Sequence, residues 1–250
     1  MLNLLKVRWS QGYQTVDHIK EVQLHPRFRG LPQIDTTACA EDCQACVEIC
    51  PTNAISLNPV QIDLGKCIFC GECALACPAK KIHFSPDYHL ASDTREGLIV
   101  SNQTPLKAVE TKARIQRIFG RSLKLRSVSA GGCNGCELEL NALGNVNFDM
   151  GRFGIEFTAS PRHSDGLVLS GPIPENMAEA LQHTYDAIPA PKLVIAFGAC
   201  AISGGVFASS PALNRKFLDK IPVDLYLPGC PPHPLTFLNG ILDLLGKKYS

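Results

Sequence analysis

Cysteine is the residue type in this 250-residue chain whose number and spacing can do chemistry: twelve are present, in three groups. The first run is Cys39, Cys43, Cys46 and Cys50 ahead of Pro51, and the second is Cys67, Cys70, Cys73 and Cys77 ahead of Pro78. The third group is split, with Cys133 and Cys136 forming a C-x2-C hook and Cys200 and Cys230 standing apart. Thiols in such numbers make disulfides, zinc sites or iron–sulfur clusters. Residues 1–9 have too short an apolar core for a secretory signal, with no small-residue cleavage site and no twin arginine. A reducing cytoplasm is therefore expected, which counts against disulfides. Structural zinc uses paired cysteines and closes at four ligands, a poor match for two triple runs that each end in Cys-Pro. Three closely spaced thiolates on a tight loop instead wrap three corners of a cubane, and the fourth, ahead of proline, points to a second cluster.

On that logic Cys39, Cys43, Cys46 and Cys77 are assigned to one [4Fe-4S] cluster, and Cys50, Cys67, Cys70 and Cys73 to another. Strand-like pieces at 54–57 and 81–84 follow the two runs. About sixty residues here resemble two-cluster ferredoxins, which implies a small pseudo-symmetric α+β unit over 38–95. The first run departs from that pattern by holding three residues, not two, between Cys39 and Cys43, which bears on the potential of its cluster.

The third group needs a scaffold that joins residues a hundred positions apart. Segments 123–128, 155–158, 167–169, 193–197 and 223–227 read as short buried strands. Segments 175–185, 213–220 and 235–245 read as helices. Alternating β and α argues for a parallel, flavodoxin-like sheet over 122–250, and such sheets bind ligands outside the carboxyl ends of their strands. Cys133 and Cys136 follow the first strand, Cys200 the fourth and Cys230 the fifth. All four thiolates are therefore expected to meet at one edge around a third [4Fe-4S] cluster. Glycines at 131, 132, 135, 198, 204 and 205 allow the tight loops this requires.

This domain resembles the small subunit of membrane-associated (group 4) [NiFe]-hydrogenases, formate hydrogenlyase included, and its relative, the 20 kDa subunit of respiratory complex I. The segments that carry the resemblance begin at Gly131, Arg152, Ser160, Ser170, Gly198 and Pro222. It implies that Cys133, Cys136, Cys200 and Cys230 bind the cluster beside an active site housed in a separate, complex I 49-kDa-like large subunit. A NiFe centre would then belong to that partner and not to this chain. The complex I relative carries adjacent cysteines at the hook, so the C-x2-C spacing favours the hydrogenase side.

The remaining segments carry less. Residues 1–37 read as a docking arm, against a plain lead-in packed on its own domain. Residues 96–121 read as a basic linker, with Lys107, Lys112, Arg114, Arg117 and Arg121 beside an apolar stripe of Ala108, Ile115, Ile118 and Phe119. Glu139 and His163 are candidates for a proton path; a helix-start carboxylate favoured by the helix dipole and an interface histidine are the plainer readings. With 24 basic and 23 acidic residues, nothing marks a nucleic-acid binder, and no run reaches the roughly 18–20 apolar residues of a membrane span.

The expected function is electron relay between a ferredoxin or dehydrogenase and the large subunit, where H2 and protons interconvert. Membrane antiporter-like subunits complete such complexes and would hold this chain at the cytoplasmic face of the inner membrane. The alternatives are a complex I-like or nickel-free oxidoreductase and, further off, a free-standing ferredoxin or zinc scaffold. The chain shows no catalytic triad or phosphate loop of its own.

Overall fold

A computed structural model of the chain describes residues 2–35, 39, 43–110 and 113–247. Lys112 of the basic run and the expected junction at 37 and 38 lie outside the described residues.

The N-terminal part is built from very short strands: β1 (Pro32–Ile34), β2 (Ile55–Ser56), β3 (Gln61–Asp63), β4 (Ile82–Phe84) and β5 (Ile99–Ser101). β1 pairs antiparallel with β4, and β3 pairs antiparallel with both β2 and β5. Each cysteine run adds a short helix, Ala45–Glu48 and Glu72–Ala76, which bury Cys46 and Cys73 respectively. Ile62, Leu64 and Leu98 close a small core beneath them. Two segments fall differently from the sequence reading. Residues 32–34, read as part of the arm, pair with β4, and Pro32 occupies the first position of an edge strand, where a missing N–H costs no ladder bond. Residues 96–101, read as linker, form a 3-10 turn (Glu96–Leu98) and then β5. The Arg95 guanidinium grips both carboxylate oxygens of Asp63 at 2.8 and 2.6 Å, which fixes this extra strand against β3.

The C-terminal part is one parallel sheet of β6 (Leu123–Ser129), β7 (Ile155–Phe157), β8 (Gly166–Ser170), β9 (Leu193–Phe197) and β10 (Leu225–Leu227). Its order, β10-β9-β8-β6-β7, is the flavodoxin-like 2-1-3-4-5 arrangement, with its topological switch point between β6 and β8. Every residue of β8 and β9 is buried, as expected when both faces of a parallel sheet are covered. Val168, Ile195 and Phe197 face Phe237, Leu238 and Ile241 of the last helix, Pro234–Leu244. Their neighbours Leu167, Leu169, Val194 and Ala196 face the opposite way. They join Leu181 of helix Glu175–Ala187 in one cluster with Ile62, Leu64 and Leu98. The N-terminal core thus continues into one face of the sheet. The expected helix over 213–220 shortens to Lys216–Lys220, because Leu213 is held in an antiparallel bridge with Pro174.

The lead segment divides in two. Val16, Ile19, Val22, Leu24 and Phe28 pack on the sheet's core. Tyr88 Oη and Asn239 Nδ2 both donate to the Ile19 carbonyl, at 2.7 and 2.9 Å, and Lys20 pairs with Asp243 at 2.6 Å. Ahead of this, helix Leu2–Gln11 keeps Leu4, Leu5, Val7 and Trp9 exposed. The basic segment forms helix Ala113–Phe119, with Ile115 and Phe119 buried and Arg114 and Arg117 outward. Among the described residues no helix is long and apolar enough to cross a membrane.

Candidate metal centres

The first two cysteine runs form two interleaved sets. Burial pushes the Cys46 thiol up, and its charged neighbours are Cys77, Cys39 and Cys43. Cys67 is pushed up to about 12 by burial, and then by Cys73, Cys50 and Cys70. Cys73 is pushed up to about 11 by burial, and then by Cys70 and Cys50, with Cys46 of the other set the weakest contributor. Cys46 thus has Cys77 of the opposite run as a neighbour, and Cys67 has Cys50, the pattern that the Cys-Pro endings suggest. Backbone N–H groups point at the sulfurs: Ala54 to Cys50 at 3.3 Å, Phe69 to Cys67 at 3.3 Å and Lys81 to Cys77 at 3.4 Å.

The third set lies at the carboxyl edge of the parallel sheet. β6 ends at Ser129, and a glycine loop carrying Cys133 leads into helix Gly135–Ala142, whose first turn holds Cys136. Cys200 lies in the short helix Ala199–Ser203 directly after β9, and Cys230 follows β10. Burial is the main cause that raises the Cys136 thiol, followed by Glu137, Cys200, Cys230 and Cys133. Cys200 is pushed up to about 11, by burial and then by Cys230 and Cys133, with Arg215 opposing. Gly198, at φ +93, lets the chain turn from β9 into that helix. A Cβ there would lie 2.8 Å from the Cys136 sulfur, so only glycine leaves room for it.

This crowding tests whether the residues fit a cluster. Burial disfavours the charged form of Cys46, Cys67, Cys73, Cys136, Cys200 and Cys230, whereas a bound metal deprotonates its thiol ligands outright. Thiol groups with inward N–H groups in the two N-terminal runs suit iron–sulfur clusters there, and at the sheet edge the four cysteines stand with a glycine that leaves room for the Cys136 sulfur. Among the described residues no three of Cys, His, Asp or Glu are placed to hold a single metal ion.

Residues outside the cysteine pattern complete the third site. Arg215 donates to the carbonyls of Pro172, Cys200 and Ala201 at 3.1, 3.0 and 2.7 Å, tying the Cys200 helix to the loop after β8. Ser170 Oγ donates to Glu137 Oε1 at 2.6 Å. Arg215 carried no motif signal. Ser170 lay in a family-like segment, but its sequence did not reveal its partner. Of the proton-path candidates, Glu139 is half-buried and burial raises its carboxyl, while His163 is exposed in the 3-10 turn Pro161–His163.

The second and third sets face one another. A crevice of about 270 Å³ is lined by Ile68 and Phe69 from the loop of the second set and by Pro228–His233 around Cys230. Gly65, two residues before Cys67, lies so close to Ile202 that a Cβ on it would be 2.7 Å from that side chain.

Comparison with known proteins yields two family matches: "NADH ubiquinone oxidoreductase, 20 Kd subunit" over residues 133–244 and "4Fe-4S dicluster domain" over residues 38–82. The chain is 39% identical to the "Probable membrane-bound hydrogenase subunit mbhJ" of Pyrococcus furiosus, over 59% of this chain and 89% of that protein. It is 46% identical to a subunit of the NADH-quinone oxidoreductase of Heliobacterium modesticaldum, over 45% of this chain and 65% of that protein. Among solved structures, a chain of the membrane-bound sulfane sulfur reductase, an archaeal respiratory membrane complex, is 30% identical. That match covers 53% of this chain and 73% of the other, with a TM-score of 0.46.

Proposed function

The chain belongs to the NADH ubiquinone oxidoreductase 20 Kd subunit family, extended on its N-terminal side by a 4Fe-4S dicluster domain, and we propose that it is the three-cluster relay of a membrane-associated [NiFe]-hydrogenase complex. It is an iron–sulfur electron-transfer subunit of an oxidoreductase. The finer reading assigns Cys39, Cys43, Cys46 and Cys77 to the outer cluster. Cys50, Cys67, Cys70 and Cys73 hold the middle one, and Cys133, Cys136, Cys200 and Cys230 the inner one. The observation that carries it is the convergence of the four distant thiols at the switch-point edge of the sheet, across a crevice from the Cys67–Cys70 loop. Electrons then run outer, middle, inner, or the reverse.

Each cluster supplies one-electron storage, and the chain's own residues do the rest. Burial of Cys46, Cys67 and Cys73 keeps water from the outer and middle sites, inward N–H groups tune the potential, and Ile68 with Phe69 bridge the middle and inner sites. Cys133 and Cys230 are exposed, and Leu138, just after Cys136, and Val206 and Phe207, just after Cys200, expose apolar surface. That rim suits a large partner subunit that carries the NiFe centre, where H2 and protons interconvert. The exposed helix Leu2–Gln11, with Lys6, Arg8 and Trp9, suits an arm docked at the membrane side of the complex, at the cytoplasmic face. Domain limits of 1–37, 38–95, 96–121 and 122–250 describe the roles, with residues 96–101 serving the dicluster unit's sheet. Glu139 remains the stronger of the two proton-path candidates, since it is half-buried beside the inner site.

A second reading has one observation in its favour, the 46% identity to a subunit of an NADH-quinone oxidoreductase. It keeps the relay and replaces the hydrogenase site with a nickel-free or quinone site in the partner. Nickel and iron measured together in the complex purified anaerobically through this chain decide between the two. One nickel per complex with H2 evolution supports the hydrogenase reading. Full iron without nickel moves the function to the second.

A further inference from the structure

Glu137 adjoins Cys136, yet it plays no part in the ligand sets. Its carboxylate folds back beneath the hook into the switch point between β6 and β8. There Ser170 Oγ donates to Oε1 at 2.6 Å, while Oε2 is buried without a hydrogen-bond partner. A Cβ on Gly132 would lie 3.4 Å from Oε1 and 3.5 Å from Gly171, so the glycine loop closes over the carboxylate. A carboxylate held in this way cannot swing into water, and its field acts through a poorly polarisable interior. Charges there interact several-fold more strongly than across solvent. Its reach is visible in the ligands, since Glu137 disfavours the charged form of both Cys136 and Cys200. The cation on the other side, Arg215, spends its donors on three carbonyls and makes no contact with Glu137.

We propose that Glu137 is a positioning residue for electron transfer: a fixed negative charge, clamped by Ser170 under the hook loop, that lowers the reduction potential of the inner cluster. An added electron raises the negative charge of the cluster and its thiolates, and a neighbouring carboxylate opposes that. The inner site is thereby kept at a lower potential than the same cluster would have without the carboxylate. This rests on the three-cluster reading, because without an inner cluster there is nothing to tune.

The test is an anaerobic, EPR-monitored redox titration of the full chain, wild type beside Glu137→Gln, Glu137→Asp and Glu137→Ala, with iron counted in each. The expected result is a midpoint shifted positive for the inner cluster alone in Glu137→Gln, with Glu137→Asp staying near wild type and the other two clusters unmoved. Glutamine keeps the acceptor for Ser170, so a purely structural role would leave the midpoint in place. An unshifted midpoint with the cluster present overturns the proposal. Loss of the inner cluster from both Glu137→Gln and Glu137→Ala, with Glu137→Asp retaining it, also overturns it in favour of an assembly role. Absence of an inner cluster from the wild type removes the three-cluster reading itself.

Discussion

At the residue scale, the chemistry rests on which thiol serves which set, and single substitutions separate the sets. Cys77 lies in the second run, yet it acts on Cys46 of the first, and Cys50 likewise acts on Cys67. Cys77→Ser is expected to remove the cluster of Cys39, Cys43 and Cys46 and leave its neighbour, and Cys50→Ser to do the reverse, as seen in the EPR spectrum of the reduced chain. Loss of the same cluster in both variants would contradict the crossed assignment. Gly198→Ala places a methyl group 2.8 Å from the Cys136 sulfur. It is expected to lower iron by about four per chain, one cubane's worth, without disturbing the dicluster signals. The two runs at 39–50 and 67–77 could be read as ligand motifs because their spacing is a local property, whereas Cys200 and Cys230 could be joined to the hook only through the expected strand order. Glu137, Ser170 and Arg215 were not legible as partners. Their contacts span 33 positions for Ser170 to Glu137 and 43 for Arg215 to Pro172, and only the strand order brings them together.

At the element scale, hydrophobic period and turn residues told strand from helix, so β9 appears at 193–197 as expected. The expected helix over 213–220 did not survive intact, because a long-range antiparallel bridge from Leu213 to Pro174 overrides local propensity there. β5 was missed because Ile99–Ser101 is three residues long and flanked by polar turns; only its pairing with β3 makes it a strand. The fastening of the lead segment to the last helix is also invisible in sequence and can be tested. Tyr88→Phe removes the hydroxyl that donates to the Ile19 carbonyl at 2.7 Å and should cost about 1 kcal/mol in denaturant unfolding. Burial raises the Tyr88 hydroxyl above its ordinary 10.0. The unfolded tyrosine therefore ionises first, and the contribution is complete below about pH 10 and fades as pH climbs past it. Wild type and Tyr88→Phe should converge in stability there. Phe237, fully buried between Phe157 and Phe197, anchors the last helix. Phe237→Ala should cost about 3–5 kcal/mol, read as a lower denaturation midpoint at unchanged slope.

At the scale of the whole molecule, two units that the sequence divides into arm, dicluster, linker and sheet share one continuous apolar cluster from Ile62 to Val194. That continuity fixes the middle and inner sites against each other, which a flexible linker would not do. The proposed relay order rests on this packing and was not legible from the cysteine motifs, whose spacing says nothing about how two units dock. The free element is the helix Leu2–Gln11. Its deletion is expected to leave all clusters in place and to reduce the share of the chain that sediments with membranes, as measured by fractionation of cell extracts. Unchanged sedimentation would assign attachment to other surfaces. The central claim is that one chain carries three clusters. Iron and acid-labile sulfide counted per chain in the anaerobically purified protein test it most directly. About twelve of each are expected, falling to about eight in Cys200→Ser. About eight of each in the wild type, unchanged by Cys200→Ser, would contradict it.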